Sequence, residues 1–261
     1  MGPAATLALK LVVTPVLVGA ASLAGRRWGA AVSGWLVGIP FTSGPIAFFL
    51  ALSLGTHFAA AAAAGILAGT ASQAAFCLAY AWTARRAGWP PSLLAAIAVF
   101  MVVTAAFDLV VPPAPLTFAG MIGVLAVALW LMPRDLRLAP EPAVAFPAWD
   151  IPARVAVATT FVVLLTSVAP VLGPRLAGLV APFPLYATVL AVFAHRLGGA
   201  GPAIGVLRGL VLGLFAFAVF FFALAELLDR SGIAAAFVVA ILLALAVQAA
   251  SLTAGRRMRI A

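Results

Sequence analysis

Two short segments carry the residue types that could hold a small molecule inside an apolar protein. They are Gly38-Ile39-Pro40-Phe41-Thr42-Ser43-Gly44-Pro45 and Ala181-Pro182-Phe183-Pro184-Leu185-Tyr186-Ala187-Thr188. Proline removes backbone donors and glycine weakens a helix, so a helix passing through either segment should break there. A half-helix starting near Thr42 or Tyr186 would turn the positive end of its dipole toward the break, which suits a negative or carbonyl-bearing group. Pro40 and Pro184 would shape these breaks, and Thr42, Ser43, Tyr186 and Thr188 would supply hydrogen bonds. Gln73 adds an amide that is costly in lipid and should therefore face inward. Arg208 adds a cation about 9 Å past the start of its helix, at a rise of about 1.5 Å per residue. These eight residues are the predicted substrate-binding set.

Each has a plainer structural reading. Both prolines could simply kink helices so that glycines pack closely. Gln73 could bond a neighbouring helix. Arg208 and Lys10, the latter at a similar depth from the other side, would by default snorkel to the interface. Gly65 with Gly69, and Gly209 with Gly213, have the small-xxx-small spacing of a packing seam.

Reaction chemistry finds no support in the remaining polar residues. His57 and His195 are expected at helix ends on opposite sides of the membrane, too far apart to act together. Asp150 and Arg154, four apart, read as a helix cap or an i,i+4 pair. No nucleophile motif, phosphate loop or metal-ligand spacing stands out, so neither an enzyme nor a cofactor nor a metal is expected. Asp108 and Glu226 fall near helix ends and no carboxylate is expected at mid-membrane, which disfavours proton-coupled export of cations. A neutral or anionic small molecule fits the polar inventory better.

The elements that must position these residues follow from composition. Of 261 residues 66% are hydrophobic and 8% are charged, against about 25% charged in a soluble domain. Lipid must be the solvent, and several uncharged stretches are long enough to cross a hydrocarbon core of about 30 Å. Alternating ten-residue segments of the β-barrel kind are missing. The formal charge of +9 is spread as basic pairs between apolar spans, which argues topology rather than nucleic acid. Cys77 lies alone within a span, where it reads as a small packing residue. The run after Lys10 up to Gly19-Ala20-Ala21-Ser22 imitates a secretory signal. It is read instead as the first span, because nine uncharged residues precede the lysine.

Nine spans are predicted, over 4–24, 29–55, 57–84, 91–112, 115–132, 152–172, 174–197, 202–228 and 233–253. A proline-rich linker, 133–151, separates a first unit (1–132) from a second (152–261). An offset of 144 residues aligns Gly29 with Gly173, Gly34 with Gly178, Gly55 with Gly199, Gly65 with Gly209 and Gly69 with Gly213. It also aligns Pro40 with Pro184, Phe49 with Phe193 and Phe76 with Phe220. The first four spans then match the sixth to ninth, with the fifth as an unmatched connector. An odd period of five turns the second copy upside down, as in many secondary transporters.

That count depends on dividing 91–132 at Pro112-Pro113-Ala114-Pro115, and the arginines support the division. With the N-terminus outside, the cytoplasmic side receives Arg26, Arg27, Arg85, Arg86, Arg134, Arg137, Arg154, Arg196, Arg256, Arg257 and Arg259, and the outer side only Arg175 and Arg230. The expected fold is thus an all-α polytopic bundle of about nine spans, made of two inverted repeats of about four helices and one connecting span. Its expected place is a bacterial inner membrane, multi-pass, with the C-terminus cytoplasmic. Lipid is its expected partner, no nucleic acid is, and a homo-oligomer is compatible with it.

The segments Ser33-Gly34-Trp35-Leu36-Val37-Gly38-Ile39-Pro40 and Ala191-Val192-Phe193-Ala194-His195-Arg196 resemble those of a bacterial inner-membrane protein family of unassigned function, over most of the chain. The repeat is similar, in architecture only, to the drug/metabolite transporter superfamily, whose four- or five-helix units oppose each other. The resemblance implies transport without naming a substrate. The chain departs from the superfamily in having nine spans rather than ten. It also carries Lys10 where small multidrug exporters carry an acidic residue, so no functional residue is carried over. A small-molecule transporter working by alternating access is the expected function, with a non-transporting scaffold or assembly factor as the alternative.

Overall fold

A stretch surrounded by lipid must satisfy its backbone internally, and a helix does so within one segment. The computed structural model describes residues 7–16, 19, 23, 40, 42–109, 113–133 and 149–257, without the side chains of Asp150, Arg154, Tyr186 and residues 251–257. Among them there are helices and no strands. The helices are α1 (Leu7–Val16), α2 (Ser43–Leu54), α3 (Thr56–Ala84), α4 (Trp89–Asp108), α5 (Ala114–Leu131), α6 (Asp150–Val180), α7 (Leu185–Gly198) and α8 (Ala200–Arg257). Five of them, α3, α4, α5, α6 and α8, contain stretches long and apolar enough to cross a membrane. The chain is a helical membrane protein.

The predicted boundaries fall on glycines for a backbone reason. Gly55 (φ 89°) separates α2 from α3, and Gly199 (φ 81°) separates α7 from α8. Gly173 (φ 76°) and Gly232 (φ 75°) kink α6 and α8 at the places where neighbouring spans are expected to meet. Only glycine enters that region without strain from a Cβ. The seventh predicted span is two pieces, broken where its prolines predict. Residues 174–180 continue α6, the chain leaves the helix over 181–184, and α7 begins at Leu185. The division of 91–132 is present, since α4 ends at Asp108 and α5 starts at Ala114. Residues 29–39 and nearly all of the linker lie outside the described residues, as do Gly29, Gly34, Arg26 and Arg27.

α3 is the axis of the bundle, with α2, α4, α5, α6 and α8 packed against it. Its glycines set how closely one neighbour approaches. A Cβ on Gly65 would lie 2.8 Å from the Arg175 carbonyl oxygen and 3.1 Å from the Gly178 Cα. One on Gly69 would lie 3.0 Å from the Leu179 carbonyl oxygen, and one on Gly178 would strike the Ala62 carbonyl. Residues 174–181 therefore pack backbone to backbone on α3, the close approach that small residues permit in lipid.

Polar contacts gather at the two ends of α3. Near its start His57 meets Asp229 at 3.1 Å. At the same end Arg175 pairs with Asp108 at 3.3 Å and donates to the Phe107 carbonyl at 2.8 Å. Near its end the Tyr80 hydroxyl lies 3.3 Å from Nδ1 of His195, and Trp82 donates to the Leu131 carbonyl at 3.1 Å. His57 and Tyr80 are about 35 Å apart along the axis at about 1.5 Å per residue, roughly the thickness of a bilayer core. The two histidines thus lie at opposite ends.

Arg175 caps the last turn of α4, where carbonyls have no helical partner and a cation offsets both the dipole and Asp108. Arg175→Met is expected to destabilise the chain by about 1–2 kcal/mol. Thermal unfolding in detergent checks this, and an unchanged midpoint would mean that the pair contributes nothing.

Candidate functional site

The second break is built by its prolines. Ala181, Pro182 and Pro184 are buried and Phe183 is half-buried. Pro184 has no N–H for the Val180 carbonyl, and the chain compensates with the tighter bonds Phe183 N to Val180 O (3.0 Å) and Leu185 N to Phe183 O (2.8 Å). Because the Leu185 amide turns to Phe183, it no longer serves the Ala181 carbonyl four residues back. That carbonyl is taken by Ser43, whose Oγ donates to it at 2.9 Å in a buried bond. Ser43 opens α2, directly after the first break. The two proline segments therefore touch at Ser43 and Ala181.

The described part of the first segment, Pro40 and Thr42 onward, has the same local chemistry. Pro40 is buried and non-helical, Thr42 sits in a turn, and α2 starts at Ser43. The Gly44 amide donates to the Pro40 carbonyl at 2.8 Å, as the Thr188 amide donates to the Pro184 carbonyl at 2.7 Å. Each proline carbonyl thus seeds the first turn of the helix that follows it.

The predicted residues fare differently. Ser43 donates its hydroxyl proton to the Ala181 carbonyl. Thr188 is half-buried and returns its hydroxyl to the Pro184 carbonyl at 2.7 Å, the usual fate of a helical hydroxyl. Thr42 is half-buried. The side chain of Tyr186 lies outside the described residues. Arg208 is half-buried in the early part of α8 and makes no hydrogen bond or ion pair among the described residues.

Gln73 is the unusual member. It is 5% exposed, and its Oε1 has no hydrogen-bond partner. Its neighbours on α3 fix its position. Gly69, one turn earlier, faces Pro182 and Leu179, and Phe76, three residues later, meets Phe183 with ring centroids 6.1 Å apart. Positions three and four apart share a helix face, so Gln73 stands on the face that α3 turns to the second break. A buried amide oxygen without a partner costs about 1–3 kcal/mol. Thr70 and Ser72 are satisfied, the first by the Ile66 carbonyl and the second by Thr104.

Aromatic rings cover the break. Phe183 is edge-to-face with Phe76 from α3 and, at 5.1 Å and 89°, with Phe100 from α4. Phe76 continues through Tyr80 to His195 on α7. Sequence reasoning passed over this sheath, although Phe183 lies between the two prolines it singled out and Phe76 belongs to the repeat. A separate cavity of about 360 Å³ opens between α3 and α5, lined by Ala71, Ala74, Leu78, Gly123, Val127 and other apolar residues. None of the predicted site residues lines it.

Lys10 departs from its default reading. Instead of snorkelling outward it is 8% exposed, with Nζ 5.7 Å from the ring centroid of Phe49 on α2. No group of three or more potential metal ligands occurs among the described residues. Comparison with protein-family models, curated proteins and solved structures finds no match.

Proposed function

We propose that the chain is a secondary transporter that moves a small neutral or anionic molecule by alternating access, with its site where the two helix breaks meet. The observation that carries this reading is the Ser43 to Ala181 bond, which ties a break in one half to its counterpart in the other. Broken backbone in lipid is tolerated where protein or a water-filled cavity satisfies it. Paired broken helices at a repeat interface are where secondary transporters place their substrate. Gln73, with an unmet acceptor on the face beside the break, is the side chain best suited to receive a hydrogen bond from a ligand.

The duplication and its inversion belong to this proposal. Gly55 (φ 89°, ψ 167°) and Gly199 (φ 81°, ψ −166°), 144 residues apart, share one backbone conformation. The counterpart of α3 in that register is the part of α8 before Gly232. The start of α3 meets the end of this part through His57 and Asp229, and the end of α3 meets the residues before its start through Tyr80 and His195. Helix and counterpart therefore run antiparallel, as an inverted repeat requires. An inner-membrane location with an outer N-terminus and a cytoplasmic C-terminus completes the reading. Likeness in plan to the drug/metabolite transporter superfamily agrees with it.

The aromatic sheath over Phe183 favours a second reading, a membrane scaffold whose breaks are dry kinks. Water access separates the two. With Cys77 replaced by Ala, Thr42→Cys should react with a membrane-impermeant thiol reagent in intact vesicles, at least about tenfold faster than a cysteine at buried Leu67. Labelling no faster than at Leu67 would favour the scaffold and count against a transport site.

A further inference from the structure

We propose that Lys10, Thr14 and Phe49 form an anion-binding site between α1 and α2, one that takes an oxyanion such as a carboxylate or a phosphate. It does not depend on the transport reading. Lys10 and Thr14 are four apart on α1, so their side chains stand on one helix face about 5–6 Å apart at Cβ. Both are buried, Lys10 at 8% and Thr14 at 0% exposure.

Neither has a polar partner. Lys10 forms no hydrogen bond or ion pair among the described residues, only the approach to the Phe49 ring. The Thr14 hydroxyl is likewise unbonded, as is that of Thr159 on α6, whereas most helical hydroxyls here bond back. Thr70, Thr83, Thr166, Thr188 and Ser231 all give their hydroxyl proton to the carbonyl one turn back. The Thr14 hydroxyl does not bond back to the Lys10 carbonyl and keeps its proton available. A buried ammonium beside a buried, uncommitted hydroxyl offers two donors and a positive charge to one anionic group. The face of Phe49 steadies the cation and contributes no acceptor that would compete.

The sequence 144 residues on carries a related pairing. Arg154 and Phe193 occupy the places that Lys10 and Phe49 occupy in the first half. Trp149, at the start of α6, packs on Phe193 with centroids 5.4 Å apart, so α6 approaches α7 there as α1 approaches α2. The sequence thus repeats the pairing of a basic residue with a phenylalanine 39 positions later, Lys10 with Phe49 and Arg154 with Phe193.

The anionic group could belong to a soluble solute or to a lipid headgroup, and two arms of one experiment separate them. The full chain is placed in phosphatidylcholine nanodiscs and its melting midpoint followed with sodium phosphate or sodium benzoate, at ionic strength held constant with sodium chloride. In the second arm no solute is added and phosphatidylglycerol replaces phosphatidylcholine. The midpoint is expected to rise by about 3 °C or more in at least one arm. Lys10→Gln should abolish that rise, Lys10→Arg should keep it, and Thr14→Val should weaken the apparent affinity about tenfold. A rise confined to the second arm assigns the site to a headgroup, and one in the first assigns it to a solute. The proposal is overturned if the wild type shows no rise in either arm, or if folded Lys10→Gln keeps the wild-type response. Should Lys10→Gln not fold, Thr14→Val decides, and a wild-type response from it overturns the proposal.

Discussion

Replacing Pro40 and Pro184 together with alanine is expected to reduce solute flux by at least about a hundredfold while the chain still folds. Alanine restores the missing N–H and allows a helix to run on where a proline in its interior would cost about 3 kcal/mol. With Pro184 replaced, a helix can begin at Pro182, which suits a first helical position, and its first turn would send the Leu185 amide back to the Ala181 carbonyl. Ser43 would lose its acceptor, and the contact between the breaks would open. The Gly65–Gly178 packing lies a turn away and does not need the break, which is why folding should survive. A hundredfold loss corresponds to about 2.7 kcal/mol on the transport barrier, of the same order as the helix term that drives the change. The measurement is flux in proteoliposomes, using whichever neutral or anionic solute a thermal-shift screen of the wild type selects. Wild-type flux in the folded double variant would sink the proposed site.

Gly178→Leu should have the largest effect on stability. Its Cβ would strike the Ala62 carbonyl and come within 2.9 Å of the Gly65 Cα, and both obstacles are backbone that cannot rotate away. Relief requires moving residues 174–181 off α3, which also pulls Ala181 from Ser43 and Arg175 from Asp108. Overpacking of a tight interior costs about 1–3 kcal/mol for a modest insertion. A leucine against backbone should exceed that, and loss of monodisperse protein in detergent is the expected result. Gly120→Ala is the matched control, because nothing lies within 4 Å of a Cβ there and a helical alanine gains about 0.5–1 kcal/mol over glycine. If both variants melt like the wild type, the close packing of 174–181 on α3 is wrong.

Much of the candidate site was legible because its causes are local. Pro182 and Pro184 interrupt a helix whatever surrounds them. The glycines at 55, 173, 199 and 232 occupy the span boundaries because the positive φ found there is a property of one residue. The basic pairs and the apolar lengths follow from the cost of charge in lipid, which is also a property of each segment alone.

What depended on tertiary structure was the choice of partner. Ser43 reads from sequence as a ligand hydroxyl, yet its proton goes to Ala181, 138 residues away, because the break there frees a carbonyl that burial obliges something to satisfy. Lys10 reads as a snorkelling lysine, but α2 lies close enough to enclose it and set it over Phe49. Gln73 could have found a neighbouring helix, and packing placed glycine, proline and phenylalanine around its face instead. In each case the residue's own chemistry was plain from its type and depth. Which helix would face it was not, since that depends on how segments 39 to 138 residues apart fit together, and pairing at that distance leaves no periodic mark in the chain.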